Sequence, residues 1–273
     1  MTAVSTHPGR AAGTRRGLPL LIGHQFHADL RCFLRNVQSV FFTFVLPVLF
    51  LVILASIFRH ATVKVPGGSV NESVYYVPGI IAFGLIAAAF SNLALSVVRA
   101  RESGVYKRRR ATPLPAAAII IARALIAMLI ALAITGVLLG IGWAAYGASL
   151  PARTAPAFFL DVVVGAAVFC CLGFAVASLI GSVDAAQPVI QAVVLPLGFI
   201  SGVFVATSEL PGWLAGIGKV FPVRPLADAL LVAYNPHTTG SGLCPADLAV
   251  LTAWGVVALI IAVRRFSWLP RAG

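Results

Sequence analysis

Residues 99–115, Arg-Ala-Arg-Glu-Ser-Gly-Val-Tyr-Lys-Arg-Arg-Arg-Ala-Thr-Pro-Leu-Pro, form a strongly basic stretch held between two long apolar runs. Its six Lys and Arg side chains are too costly to place in hydrocarbon, so the stretch is expected to be an aqueous loop. The flanking runs, 76–98 and 116–146, each reach the ~20 residues that carry a helix across a bilayer core. The chain therefore reads as a membrane protein presenting a short charged element on one side. Composition agrees, because 60% hydrophobic against 10% charged residues, with a mean hydropathy of +0.98, exceeds the usual apolar share of a soluble domain.

The net charge of +12 raises the question of nucleic acid. The basic residues flank apolar runs instead of forming a stripe on a folded surface, which points to topology and anionic lipid headgroups and away from a nucleic-acid partner. Cysteine usage offers no disulfide framework: Cys170 and Cys171 lie inside an apolar run, and Cys32 and Cys244 stand apart. Residues 1–17 carry three arginines without a following apolar region or a small-residue cleavage site, and read as a disordered cytoplasmic tail instead of a signal peptide.

In residues 18–39, Leu21, Phe26, Leu30, Phe33, Leu34 and Val37 recur at three- and four-residue steps between polar residues, the pattern of an amphipathic helix lying along the interface. Six spans are expected at about 40–58, 77–98, 116–146, 157–180, 188–206 and 248–263, with residues 266–273 as a cytoplasmic tail. Pro47 should kink the first span, and residues 181–187 should form a tight turn. Two runs too short to cross follow span five, the first opened by Ser208 as an N-cap and stopped at Phe221-Pro222, the second opened at Arg224-Pro225. Fifteen of the 20 Lys and Arg residues fall on the side of the termini and the central loop, against Arg59, Lys64, Arg153, Lys219 and Arg224 opposite. The positive-inside bias then puts both termini in the cytoplasm. Arg123, about two turns into span three, is expected to snorkel to that face.

Candidate chemistry is sparse. Gly218-Lys219 is no phosphate loop, since the pattern needs Gly where Trp213 stands and Ser or Thr where Val220 stands. The chain has no nucleotide motor of its own. His7, His24, His27, His60 and His237 lack ligand-spaced partners for a metal, and no Gly-x-Ser-x-Gly supports nucleophilic catalysis, so neither catalytic nor metal residues are assigned. Asp161 near the outer end of span four is expected to reach the outer surface, with substrate contact as the other reading, and Asn92 and Gln191 are the remaining polar candidates for a substrate path. The small-residue pairs Gly136/Gly140 and Gly198/Gly202 permit close helix approach within or between subunits. The sequon Asn71-Glu72-Ser73 carries no weight, because chance matches are frequent.

Three features together resemble the membrane subunits of type-2 ATP-binding-cassette (ABC) exporters, of the bacterial daunorubicin and multidrug-resistance kind. They are the amphipathic helix leading through Phe33-Leu34-Arg35-Asn36 to Pro47, the segment Arg101-Glu102-Ser103-Gly104-Val105-Tyr106-Lys107-Arg108 with Ala111-Thr112-Pro113-Leu114-Pro115, and the segment 196–211 with Ser201-Gly202-Val203-Phe204. The resemblance covers residues 18–265 and implies an all-α membrane domain of six spans with an interfacial elbow helix and two short outer-leaflet helices. It implies that Arg99 through Arg108 form a coupling helix on a separate ABC ATPase, present in two copies, which binds the ATP and Mg that this chain does not. It also implies an outer gate at Ser201, Gly202, Val203, Phe204 and Pro211. Relatives often carry Pro-Leu soon after that run, where this chain has Val205-Ala206-Thr207-Ser208. The implied function is export of a hydrophobic or amphipathic compound, drug, antibiotic or lipid-like, across the bacterial cytoplasmic membrane by a homodimer. Export of a lipid-linked glycan shares the architecture. A membrane enzyme acting on lipid is the third reading and would need convergent acids, bases or metal ligands at one depth.

Overall fold

Apolar residues at helical spacing fold Leu18–Arg35 into an amphipathic helix, and Asn36 turns the chain into the first span by accepting a hydrogen bond from the Ser39 N–H at 3.1 Å. A computed structural model describes residues 18–65, 67–104, 116–204 and 211–265. The expected tails 1–17 and 266–273, residues 105–115 with Val105, Tyr106, Lys107 and Arg108, and residues 205–210 with the Ser208 cap lie outside the described residues.

Six helices among the described residues are long and apolar enough to cross a membrane. Span one runs Val37–Ile57, span two Glu72–Glu102, span three Ala116–Tyr146, span four Ala155–Leu179, span five Val183–Ile200 and span six Pro245–Arg265. Short helices Gly212–Val220 and Val223–Tyr234 lie between spans five and six, divided at Pro222. Span two is the centre of the bundle, with 72% of its apolar window buried, whereas spans five and six are 22% and 17% buried and turn most of their surface outward. Between spans, close packing takes the place of water exclusion as the associating force. Gly173 of span four sits so close to span two that an added Cβ would lie 3.1 Å from the Phe90 carbonyl oxygen.

Several boundaries differ from the sequence expectation, each for a local reason. Span two begins at Glu72 because Asn71 caps it, accepting from the Ser73 N–H at 2.9 Å. It also runs on through Arg99, Arg101 and Glu102 before Gly104, at φ +70°, ends it, so these three belong to the span and not to an aqueous loop. Span five starts at Val183 because Ser182 accepts from the Ala185 N–H at 3.3 Å, which shortens the expected turn at 181–187. Pro47 acts through the turn before it. Lacking an N–H, it leaves the preceding residues to close a π-helical turn at Phe41–Val45, in which the Leu46 N–H reaches back to the Phe41 carbonyl. A second π turn, Ile86–Asn92, lies inside span two. The loop after span one holds an antiparallel hairpin, Thr62–Val65 against Gly68–Asn71 with Thr62 opposite Asn71, which no sequence signal had marked.

The glycine pairs part company. Gly136 and Gly140 face open space on span three. Gly198 and Gly202 do not form a helix-packing stripe: Gly202 lies beyond the end of span five at φ +80°, and Gly198 makes room for the Phe204 ring, 2.7 Å from where its Cβ would stand.

Candidate functional site

At the end of the bundle that carries the leading helix and Arg264/Arg265, span two closes with two charged residues that are both engaged. Arg101, only 3% exposed, donates to the carbonyls of Ala177 at 3.2 Å, of Ile180, and of Gly181 at 3.4 Å. These carbonyls belong to the last turn of span four and the residues just beyond it, where helical partners are missing and the helix dipole is negative. Glu102 accepts from the Val183 N–H at 2.6 Å, the first residue of span five, where the dipole is positive. Adjacent residues of opposite charge thus hold both sides of the turn between spans four and five. The Glu102 carboxylate, expected as part of the coupling segment, is thus engaged by the backbone at the start of span five. Ser103 and Gly104 form the turn that follows.

A second ionic contact joins the leading helix to span three. Arg123 lies 3.6 Å from the Asp29 carboxylate and donates to the Ser96 hydroxyl at 3.0 Å, so it is held by neighbours instead of snorkelling.

Beside these contacts, spans one, two and five surround a cavity of about 570 Å³. Two of the three expected substrate-path residues, Asn92 and Gln191, line it together. So do Gln38, Ser39, Thr43, Ser91, Gln187 and Arg99, the last expected in the coupling segment instead. The signal was available in the spacing: Asn92 and Arg99 are two turns apart on one helix face, and Gln187 and Gln191 are one turn apart on another. Toward the far end the lining becomes aromatic, with Phe50 and Phe83.

There the cavity meets the expected gate segment. The Phe204 ring centroid is 5.0 Å from Phe50, 5.1 Å from Phe83 and 5.3 Å from Phe199, a four-ring cluster that closes the deep end. Ser201 is fully buried, its hydroxyl donating to the Leu197 carbonyl, and Val203 is fully buried beside Gly79 of span two. Pro211 opens the first short helix. That helix is fixed on one side by Gly218, whose Cβ would lie 2.4 Å from the Ile200 carbonyl oxygen, and on the other by the Trp254 indole N–H, which donates to the Val220 carbonyl at 2.7 Å.

Asp161 is not brought into this group. Its carboxylate is fully buried, and neither oxygen has a hydrogen-bond partner among the described residues. It does not reach the outer surface as expected, because the second short helix covers this face of span four: Phe158 meets Tyr234 at a ring separation of 6.1 Å, and Gly165 receives Leu226. On that short helix Asp228 pairs with Arg224 at 3.3 Å, yet burial pushes its carboxyl above the ordinary range against the pull of the arginine.

Residues 24–235 match the family model described as ABC-2 type transporter. The chain belongs to the ABC-2 type transporter family. No curated protein matches it. As an ABC-2 permease it is the multi-pass membrane component of an ABC exporter, not a catalytic subunit, and ATP hydrolysis belongs to an ABC ATPase partner. The Arg101 and Glu102 contacts and the cavity both fall within the matched residues of this ABC-2 permease.

Proposed function

We propose that this ABC-2 permease exports a hydrophobic or amphipathic compound outward across the bacterial cytoplasmic membrane, as a homodimer driven by two copies of a separate ATPase that bind ATP and Mg. The observation that carries this reading is the cavity among spans one, two and five, polar near Arg99 and Asn92 and aromatic at Phe50 and Phe83. A drug-sized ligand suits its volume, since such sites run to roughly 300–1,000 Å³. Phe204 and the three rings around it act as the outer gate. The stretch that follows span two, from Ser103 to Arg108, carries the ATPase contact, with Arg101 and Glu102 passing it on to spans four and five and both termini in the cytoplasm as the basic residues favour. The outward faces of spans five and six and the open Gly136/Gly140 edge of span three are available to a second copy and to lipid.

The test is co-purification with an ABC ATPase from the native membrane, followed by ATP hydrolysis across a panel of amphipathic compounds in reconstituted vesicles. Stimulation by a subset of compounds, lost in Phe83→Ala and Asn92→Leu at matched protein levels, is expected. Stimulation that both variants leave intact would move the substrate route away from this cavity.

A further inference from the structure

Among the described residues that line the cavity, one carries a charge. Its lining contains amides, hydroxyls and rings, but Arg99 is its only ionisable residue with a full charge at neutral pH, and no Asp or Glu borders it. Two neighbouring cations are committed elsewhere: Arg123 to Asp29, and Arg101 to three carbonyls at the end of span four. The nearest acid along the chain, Glu102, is bonded to the Val183 N–H, outside the lining. Among the described residues no carboxylate pairs with Arg99, which is half-buried where the polar part of the cavity begins. Arg99 also borders an adjoining cavity with Asp29, whose carboxylate lies 3.6 Å from Arg123, and a guanidinium whose nearby acid is taken by another cation favours an anion at the edge of a low-dielectric space and repels a second cation. Its forked donors match a carboxylate or phosphate edge to edge.

Resting on the cavity as the substrate site, we infer that the permease takes amphipaths with an anionic headgroup: the acid sits against Arg99, with Asn92 and Gln191 beside it, and the apolar body points to Phe50 and Phe83. The distance suits an elongated compound, because the sixteen residues from Phe83 to Arg99 correspond to about 24 Å of helix. A free acidic amphipath and an anionic phospholipid drawn from the leaflet share this chemistry. Lipophilic cations fall outside the range, which separates the chain from exporters of amine-bearing drugs.

The experiment uses the full chain in phosphatidylcholine nanodiscs and two probes of equal length carrying the same dansyl group, one ending in a carboxylate and one in an ammonium. The carboxylate probe should bind at least about tenfold more tightly than the ammonium probe, as a charge-assisted contact implies. Arg99→Gln should erase that preference and Arg99→Lys retain most of it, with both variants melting as the parent does. In discs containing phosphatidylglycerol, competition against the carboxylate probe that depends on Arg99 would identify phospholipid as the occupant, and its absence a free acid. Equal binding of the two probes, or a preference that survives Arg99→Gln, would overturn the inference. If Phe83→Ala weakens both probes in that event, the cavity remains the binding site and only the charge selection falls. Indifference of both probes to Phe83→Ala would remove the cavity itself.

Discussion

At one end of the bundle Arg101 and Glu102 reach the backbone on either side of a turn between two spans; at the other, Phe204 wedges among three rings and Asp161 is shut in without a hydrogen bond. Charge-assisted hydrogen bonds are directional and contribute about 1.5–3 kcal/mol each where buried, as at Arg101, and less at the exposed Glu102, so a displacement at the end of span two carries the end of span four with it and pulls on the start of span five. Ring contacts contribute about 0.5–1.5 kcal/mol each and tolerate sliding over a range of angles. The contrast makes the first end the stiffer and the second the more adjustable, which is what the proposed roles of coupling on one side and gating on the other require.

The largest effect tests the sidedness of that comparison. Ser69 on the hairpin and Ser103 after span two lie at opposite ends, so in a chain freed of its native cysteines only Ser69→Cys should react with an impermeant thiol reagent in intact cells. Labelling of Ser103→Cys from outside would invert the comparison. Next comes the clamp itself. Arg101→Met should lower the melting temperature and abolish substrate-stimulated ATP hydrolysis in reconstituted vesicles, because three carbonyls lose a buried donor. Glu102→Ala should lose coupling too, while Glu102→Gln, which keeps an acceptor for the Val183 N–H, retains more of it. If Arg101→Met couples as well as the parent, the coupling role of the stiffer end is gone from the account.

At the far end Gly218→Ala forces a Cβ against the Ile200 backbone and should cost about 1–3 kcal/mol, read as a drop in melting temperature in detergent. Gly136→Ala, with open space around it, should be neutral or slightly stabilising, and parity between the two would show the far end to be looser than described. The smallest effect concerns Asp228. Its carboxyl is raised above the unfolded value, so the folded form is favoured while the group is protonated, and that contribution is lost as pH rises through the folded pKa. Asp228→Asn should therefore flatten the fall in stability above the ordinary carboxylate range; an unchanged pH slope in thermal melts would assign it elsewhere.

Much of this was legible in the residues. The six spans follow from uninterrupted apolar runs, which no other environment explains, and the division of the two short helices from the stop at Phe221-Pro222. Their ends were less legible, because caps such as Asn71 and Ser182 look like loop residues until their hydrogen bonds are seen. Arg101 was misplaced for an instructive reason: a charge near an apolar run was read as a stop, whereas the carbonyls at the end of span four pay for its burial. Asn92 and Gln191 were found as rare polar residues in apolar helices, but the fact that they face each other depends on how three spans pack. Asp161 was misread for the same cause, since its burial is set by a helix more than sixty residues away.

The π turn at Ile86–Asn92 gives span two an internal reserve of length. Such a turn holds one residue more than an α-helical turn, so returning it to α geometry turns everything beyond by about 100° for that residue. Asn92, Leu95 and Arg99 all lie at or beyond it and line the cavity along one edge. A single such change would swing the whole polar edge out of the cavity in one step while Arg101, further along the same helix, twisted against the carbonyls it holds. In this chain the site and the clamp are threaded on one shaft.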